Sequence, residues 1–254
     1  SMSRGISGTR LNEIVGISMD STGRYYVTQH SGRRGIIRFG TDGEIDRAYN
    51  ENRGIWAGNV SDSCSMYYDN DDDNFKKDLT SVNTLVSSPY QVQHAQYVKD
   101  NDGNTMTDVM FVMGNNKVIG VDNDGSCKYY IKNNMRLIRN IDVKDINNKS
   151  YLMLHGFNAA NQCVMKIYNL TDKNLVTSDI TGYASGRYIC HSWRSALNSD
   201  MTRFYTVYGG SIYWLNMESA GTNNYQITDA DRANTNHAFQ GYCLRTNRNG
   251  QLFQ

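Results

Sequence analysis

Apolar residues along this chain occur in short runs separated by polar turns. Each recurring unit has an apolar run ending near a Gly, a short polar link, a second apolar run and a closing polar turn. Such units begin at Tyr25, Met110, Tyr151 and Phe204, and a degenerate copy begins at Ile55. The runs are rich in β-branched and aromatic residues, which favours β-strands. Helical periodicity is weak and confined to residues 135–146.

The spacing of these units predicts the architecture. The closing turns recur about every 45 residues, and repeats of that length with four strand-like segments are typical of β-propeller blades. A single unit would expose an apolar face, so neighbouring units must cover it. The sequence therefore predicts an all-β fold, a β-propeller of about five to six four-stranded blades in a single domain over residues 3–254.

The last segment predicts part of a further blade. GYCLRTNRNGQLFQ from Gly241 parallels GISMDSTGRYYVTQ from Gly16, with Gly250 at the turn position of Gly23. Either residues 3–13 complete this blade and close the ring, or the chain is a truncated piece of a longer protein. Ring closure would remove two exposed sheet edges and is favoured on that ground.

One stretch carries a family resemblance over a whole blade. Residues 16–45, GISMDSTGRYYVTQHSGRRGIIRFGTDGEI, resemble a blade of the NHL and related bacterial six-bladed β-propeller families. The resemblance implies a fold more than a function, because propellers of this kind include binding proteins, scaffolds and enzymes.

A second resemblance concerns a candidate metal loop at residues 99–116, KDNDGNTMTDVMFVMGNN. Its acidic and amide positions are Asp100, Asp102, Asn104 and Asp108. The loop resembles the calcium loop of integrin-type FG-GAP and VCBS repeats, which implies a structural calcium held by these four residues through oxygen ligands. Thr105 departs from the Gly of that family, and Asn104 replaces an Asp. The alternative is a polar β-hairpin turn without metal, which Asp and Asn also favour.

Charge and hydropathy exclude some partners. The 254 residues include 26 basic and 25 acidic side chains, for a net charge of +1, and no long basic block is present. The sequence therefore predicts no nucleic-acid partner. No apolar stretch reaches the roughly 20 residues that a membrane helix needs, so no membrane insertion is predicted.

The cysteines indicate little chemistry. They stand at positions 64, 127, 163, 190 and 243 without a C-x-x-C pair, so their spacing does not predict a zinc site. Their odd number and even scatter predict buried free thiols that act as small apolar residues, not a disulfide framework.

Candidate binding residues are aromatic or imidazole side chains. Trp and Tyr dominate recognition surfaces because they combine a large contact area with a polar group. His30 and His155 end the second strand of their units, where Tyr208 stands in another unit, and equivalent places in different blades share one rim. The predicted binding residues are Trp56, Trp193, Tyr208, Trp214, His30 and His155. The alternative is that these side chains belong to the core between blades.

These observations predict a non-enzymatic recognition module that binds a protein or glycan partner. The Asn-, Gly- and Tyr-rich composition suits a bacterial surface protein or a phage tail or virion component, so an extracellular, surface or virion location is favoured over the cytoplasm. One alternative is a glycosidase or lyase acting on polysaccharide, although no pair of carboxylates stands out as catalytic. Another is an intracellular protein-interaction scaffold.

Overall fold

The computed structural model describes residues 14–29, 36–46, 64–69, 74–79, 89–100, 102–106, 108–114, 116–123, 125–176, 180–181, 195–208, 211–219, 225–233, 245–246 and 251–253. Regular secondary structure in these residues is β-strand throughout, which confirms the all-β prediction. The chain divides into two compact units, Ser1–Asn133 and Asn134–Gln254. A single domain, a closed ring and the number of blades stay predictions.

Among its described residues, the first unit contains two main sheets and a small hairpin. The strands are β1 (Ile14–Met19), β2 (Tyr25–Gln29), β3 (Ile36–Phe39), β4 (Cys64–Asp69), β5 (Asn74–Leu79), β6 (Gln91–Ala95), β7 (Val98–Lys99), β8 (Thr105–Met106), β9 (Val109–Gly114), β10 (Lys117–Val121) and β11 (Cys127–Ile131). One sheet has the order β1-β2-β3, and the other has the order β5-β4-β11-β10-β9-β6. The hairpin pairs β7 with β8.

In the part of the chain that the structure describes, the second unit contains sheets of five and four strands and a small hairpin. The strands are β12 (Leu137–Ile146), β13 (Lys149–Phe157), β14 (Cys163–Asn169), β15 (Asn174–Leu175), β16 (Ile180–Thr181), β17 (Ser195–Leu197), β18 (Arg203–Tyr208), β19 (Ser211–Ser219), β20 (Tyr225–Ala233), β21 (Arg245–Thr246) and β22 (Leu252–Phe253). The sheets have the orders β12-β13-β14-β15, with β16 also on β14, and β17-β18-β19-β20. Strands β21 and β22 form the antiparallel hairpin.

The strand-link-strand repeat is confirmed at its four clear copies. The antiparallel neighbours β2-β3, β9-β10, β13-β14 and β18-β19 occupy the segments predicted from Tyr25, Met110, Tyr151 and Phe204. The weak helical periodicity of 135–146 was misleading. Leu137–Ile146 is the strand β12, which pairs with β13 along its whole length, and this ladder outweighs the local preference.

The described part of the degenerate copy from Ile55 does not form a separate sheet. Strand β4 pairs in parallel with β11, matching Tyr67 with Tyr130, and β5 lies at the outer edge of the same sheet. The prediction of a blade at this place was therefore wrong. The hairpin β4–β5 instead covers the edge of β11, which would otherwise offer its backbone groups for pairing with another chain.

The cysteine prediction was also wrong. Cys64 at the start of β4 and Cys127 at the start of β11 form a disulfide, and Cys163 is disulfide-bonded as well. Cys64 and Cys127 are buried and belong to the core cluster of the first unit. Their even scatter along the chain concealed the pairing, because β4 meets β11 only through a long-range parallel ladder.

The two main sheets of the first unit pack with β1 beside β6. Gln91 Nε2 donates to the carbonyl oxygen of Val15 at 3.1 Å, and Thr28 Oγ1 donates to the carbonyl oxygen of Tyr90 at 2.9 Å. Gly16 permits this approach, because a Cβ there would lie 3.1 Å from Gln91 Oε1 and 3.2 Å from the backbone nitrogen of Val92. The shared core includes Tyr26, Ile36, Val92, Met110, Val112, Ile119 and Val121.

The two main sheets of the second unit pack similarly, with β12 beside β17. Asn140 Nδ2 donates to the carbonyl oxygen of Ser195 at 2.7 Å. The buried core between the sheets includes Met153, Met165, Ile167, Leu197, Phe204, Leu215 and Met217. In each unit, the two main sheets are therefore neighbours through an edge strand of each, β1 with β6 and β12 with β17. Within the described part of the chain, no helix is long and apolar enough to cross a membrane.

Candidate functional site

The predicted calcium loop is a hydrogen-bonded turn between β7 and β8. Asp100 Oδ1 accepts hydrogen bonds from the backbone amides of Asp102 at 2.9 Å and of Asn104 at 2.8 Å. The main chain closes through Asp100 N to Asn104 O at 2.9 Å and through Gly103 N to Asp100 O at 3.2 Å. Gly103 has φ +84°, a left-handed conformation that Gly adopts without steric cost.

The same turn recurs elsewhere in both units. Asp20, Asp122 and Asn158 each accept, on Oδ1, the backbone amide of the residue four positions later, at 3.0, 3.0 and 2.9 Å. The fourth residue of each turn again has positive φ, namely Gly23 at 86°, Gly125 at 84° and Asn161 at 59°. An Asp or Asn followed three residues later by a left-handed residue is therefore a general hairpin device of this chain.

Asp108, the fourth residue of the predicted metal set, has different partners. Its Oδ1 accepts the backbone amide of Ser21 at 2.9 Å and lies 3.0 Å from His94 Nε2. The guanidinium Nη2 of Arg24 lies 3.9 Å from Oδ2. Asp108 is 4% exposed. This carboxylate therefore joins the sheet of β1–β3 to the sheet of β6 and β9.

Carboxylate oxygens of Asp100 and Asp108, two members of the predicted metal set, have protein partners in this structure. Both oxygens of Asp100 accept hydrogen bonds, since Asn104 Nδ2 donates to Oδ2 at 3.2 Å, and Asp108 directs Oδ1 to an amide and an imidazole. Within the described residues, no group of three or more His, Cys, Asp or Glu side chains could hold a metal ion. Binding of calcium itself stays a prediction.

A charged network surrounds Asp20 at the same end of the first unit. Asp20 Oδ2 accepts from Arg24 Nε at 2.7 Å and from the Tyr26 hydroxyl at 3.1 Å. Burial alone would raise the pKa of Asp20, but hydrogen bonds from Thr22 and Arg24 and the charge of Arg24 outweigh burial and lower it. Burial raises the pKa of Tyr26 to about 12, so its hydroxyl stays a proton donor.

Arg38 continues this network to the neighbouring turns. Its Nε donates to Asp46 Oδ2 at 2.8 Å, and its Nη1 donates to the carbonyl oxygen of Asn123 at 2.9 Å. Arg24 Nη2 donates to the side-chain oxygen of the same Asn123. Charges that are paired and bonded to the backbone in this way fix the relative position of two sheets, and their role is structural.

His155, a predicted binding residue, lies in the core of the second unit. Its side chain is fully buried, and its ring meets Phe204 edge to face at a centroid distance of 4.9 Å. Burial lowers the pKa of His155 to about 3, and the charge of Arg139 adds to this effect. The imidazole is therefore neutral at physiological pH and has no exposed surface for a ligand.

The other predicted binding residues have different positions. Trp56, Trp193 and His30 lie outside the described residues, so their role stays a prediction. Tyr208 is the last residue of β18, paired with Ser211. Trp214 is on β19 and is partly exposed. Trp214 is thus the predicted residue for which the structure provides a surface position.

Trp214 belongs to a face of the sheet β17-β18-β19-β20 that is not core. On β18 and β19, Phe204, Thr206, Leu215 and Met217 are buried on one face. The opposite face has Tyr205 paired with Trp214 and Arg203 paired with Asn216. Tyr205, Trp214 and Asn216 are partly exposed, Arg203 is exposed, and we call these four residues the aromatic strip.

Sequence reasoning missed Tyr205 and Arg203. The signal was the alternation in RFYTVY, since Arg203 and Tyr205 fall on the opposite face from Phe204 and Thr206 in any strand. Tyr68 and Tyr129, by contrast, are buried.

No protein-family model and no curated protein matches the chain. Solved structures do resemble it. The Pan2 WD40 domain of Neurospora crassa has 11% identity and a TM-score of 0.45, over 97% of this chain and 60% of that one. The Dos1 propeller has 9% identity and a TM-score of 0.43, over 94% of this chain and 65% of that one.

A bacterial structure is similar to the same degree. The periplasmic gluconolactonase PpgL of Pseudomonas aeruginosa has 12% identity and a TM-score of 0.46, over 94% of this chain and 63% of that one. The chain thus spans 60 to 65% of the length of these three structures. The all-β fold stated above rests on the strand pairing of this chain itself.

Proposed function

We propose that this protein is a non-enzymatic recognition module that binds a protein or glycan partner through the aromatic strip. One observation carries the proposal: a sheet whose first face is buried core presents Tyr205 and Trp214 side by side on its other face. Paired aromatic side chains with partial exposure are the residue types that dominate recognition surfaces.

The described carboxylates support binding over catalysis. A polysaccharide hydrolase needs two carboxylates that flank one cleft and differ in pKa. The buried carboxylates Asp20, Asp108 and Asp142 each accept at least one backbone amide, at 3.0, 2.9 and 2.8 Å respectively. A carboxylate committed to the backbone in this way is a structural element of a turn or strand.

The location that we propose is an oxidising compartment, such as the cell exterior, a cell surface or a virion. The disulfide between Cys64 and Cys127 supports it, because disulfides persist outside the reducing cytosol and are rare inside it. The intracellular scaffold alternative would require these thiols to stay reduced. Mass spectrometry after alkylation of the unreduced protein tests the bond: a protected Cys64 supports this location, and an alkylated Cys64 argues against it.

For the fold, we propose a β-propeller related to the NHL-like or FG-GAP-like families. Support comes from consecutive, mainly antiparallel sheets that pack with edge strands adjacent, β1 beside β6 and β12 beside β17. Calcium at the Asp100 loop is proposed from the sequence resemblance, and melting temperatures in calcium and in chelator test it.

Recognition is tested by comparing the protein with Trp214→Ala on an oligosaccharide array and on an array of purified surface proteins. The proposal expects at least one ligand whose binding falls about tenfold or more in the variant, as for a central aromatic residue of an interface. Identical binding profiles for the two proteins would contradict it. Circular dichroism melts establish that the variant is folded.

A further inference from the structure

We infer that Asn148, in the turn between β12 and β13, is an acceptor site for an N-linked oligosaccharide. The sequence Asn148-Lys149-Ser150 has the acceptor pattern Asn-x-Ser/Thr, in which x is not proline. This inference rests on the proposed oxidising compartment, because N-linked oligosaccharides are added to chains that enter a secretory pathway. It assigns a covalent modification that the recognition proposal does not involve.

The turn at Asn147 and Asn148 places the acceptor at an exposed tip. Ile146 pairs with Lys149 on either side of the turn, and the two asparagines have φ of 48° and 60°. Positive φ at both central residues is the conformation that Asn and Gly favour in two-residue hairpin turns. Both asparagines are exposed. A group attached to the Asn148 side chain therefore begins at the solvent-facing end of a hairpin.

The Asn148 amide is available for a covalent bond. Among the described residues, the Asn148 side chain has no hydrogen bond, ion pair or ring contact. Its Nδ2 can therefore carry a sugar without loss of a contact in the folded protein. The neighbouring Asn147 is also exposed, but Lys149 stands two positions after it, so Asn147 lacks the acceptor pattern.

A second acceptor pattern, Asn169-Leu170-Thr171, lies at the same end of this sheet and is committed to the fold. The backbone amide of Leu170 donates to the carbonyl oxygen of Ser150 at 2.9 Å, so the two patterns are neighbours. Asn169 is 1% exposed. Its Oδ1 accepts the backbone amide of Asp172 at 2.9 Å, and its Nδ2 donates to Asp172 Oδ2 at 2.9 Å. A sugar on this nitrogen would break the turn and would have no room in the folded protein.

Transfer of the oligosaccharide must precede the pairing of β12 with β13. In the folded protein Ser150 is buried, and its Oγ donates to Asp145 Oδ1 at 2.5 Å, so the acceptor pattern is closed to an enzyme. On the chain before folding, Asn148 Nδ2 bonds to C1 of an oligosaccharide carried by a lipid diphosphate. The bond from C1 to the diphosphate oxygen breaks, the lipid diphosphate leaves, and the amide nitrogen loses one proton.

The folded structure then decides which modified chains persist. A chain that carries a glycan on the exposed Asn148 can form every described contact of the turn. A chain that carries one on the buried Asn169 cannot. The two neighbouring patterns therefore form an internal comparison, with a glycan expected at the first and not at the second.

The test is mass spectrometry of the full chain, expressed with a secretory leader in cultured mammalian cells. Peptide-N-glycosidase in heavy-oxygen water converts each glycosylated Asn into labelled Asp, which identifies the site. We expect the label at Asn148 and not at Asn169 in the folded, secreted protein. If little protein is secreted, folded protein from the cells, selected by resistance to trypsin, is measured in the same way.

Two substitutions in the turn form a matched pair. Asn148→Gly removes the acceptor amide and should fold at least as well, because Asn followed by Gly is strongly preferred in such turns. This variant should lose the mass of one glycan. Asn147→Asp keeps the acceptor pattern, and Asp tolerates positive φ, so this variant should retain the glycan. Circular dichroism melts establish that both variants are folded.

The inference is overturned if Asn148 is unlabelled in the folded protein, if Asn148→Gly keeps the full glycan mass, or if folded protein carries the label at Asn169. Alkylation of the same sample before reduction separates this inference from the proposed location. A protected Cys64 with an unmodified Asn148 overturns the glycan site and leaves the location supported. An alkylated Cys64 with a labelled Asn148 argues against the location and supports the site.

Discussion

The Asp108 carboxylate accepts the backbone amide of Ser21, a residue 87 positions earlier, at 2.9 Å. This bond joins the turn after β1 to the start of β9, and it lies in a loop that the sequence identified with calcium. Asp108 has φ +56°, which is uncommon outside Gly, Asn and Asp. The residue therefore contributes both a conformation and a long-range hydrogen bond.

We expect Asp108→Ala to lower the free energy of unfolding by about 2–4 kcal/mol, because the Ser21 amide and His94 lose their partner and Ala disfavours positive φ. Asp108→Asn keeps the shape and the left-handed preference, so its loss should be smaller, about 1–2 kcal/mol. Urea denaturation measures both values. The exposed Asp102→Ala in the same loop is the control, with an expected change within about 0.5 kcal/mol. Equal losses in all three variants would contradict a special role for Asp108.

Substitutions in the Asp100 loop can show whether the loop is a hydrogen-bonded turn or a metal site. If it is a turn, Asp100→Ala should cost about 1 kcal/mol through the loss of two bonds to amides, and Asp102→Ala should cost almost nothing. Melting temperatures in calcium and in chelator should then agree for the unmodified protein and both variants. A calcium-dependent rise that both substitutions abolish would instead establish the metal site, since a ligand of the folded state raises its stability.

His155 should make the free energy of unfolding depend on pH, so that the protein loses stability as the pH falls. Burial in the folded protein lowers its pKa from the ordinary histidine value of 6.5 to about 3. As the pH falls below 6.5, the unfolded state binds the proton first, so the unfolding free energy decreases until the folded pKa is reached. The decrease from this group approaches about 1.4 kcal/mol per pH unit.

The measurement for His155 is a series of urea unfolding curves at pH 7, 6, 5 and 4. His155→Leu removes the titrating group and replaces it with an apolar side chain of similar volume. As the pH falls, we expect the unmodified protein to lose more unfolding free energy than His155→Leu does. A difference that is independent of pH would show that His155 titrates normally.

The disulfide of β4 and β11 should stabilise the first unit. Its cysteines are separated by 63 residues, and closing a loop of that length is worth about 3–5 kcal/mol in the chain-entropy treatment. We expect the double variant Cys64→Ser, Cys127→Ser to melt at a lower temperature and to show faster amide hydrogen exchange in Cys127–Ile131. The exchange of Lys149–Phe157 in the second unit is the internal control. Unchanged exchange in β11 would mean that the parallel pairing of β4 with β11 is stable without the disulfide.

The clear repeats were predictable because each of them pairs two strands that are adjacent along the chain. Alternating apolar runs and Gly-containing turns define hairpins such as β2–β3 and β18–β19, whose partners are adjacent along the chain. The position of β4 was not predictable in this way. Its partner β11 lies far along the chain, beyond several intervening strands, and neither local pattern nor turn chemistry specifies a long-range parallel pairing.

The site was predictable only in part, for a related reason. Composition identified Trp214. The exposure of a strand residue, however, depends on which face of the sheet the core covers, and the sequence does not give this. For that reason His155 was taken for a rim residue and Tyr205 was overlooked. The turn that the sequence offered as the alternative for the Asp100 motif is present, and calcium binding there stays a prediction. The similarity of the motif to a metal loop has a simple physical basis, since the oxygen that would bind a cation also accepts backbone amides.

The pairing of β4 with β11 imposes an order of events on biosynthesis. Strand β4 emerges before its partner, and the two cysteines are 63 residues apart. At synthesis rates of about 5–20 residues per second, β4 waits roughly 3–13 s for β11. During that interval the nascent hairpin has an open edge and a reactive thiol at Cys64, so a chaperone or an oxidoreductase that occupies this edge would have its greatest effect before residue 127 has appeared.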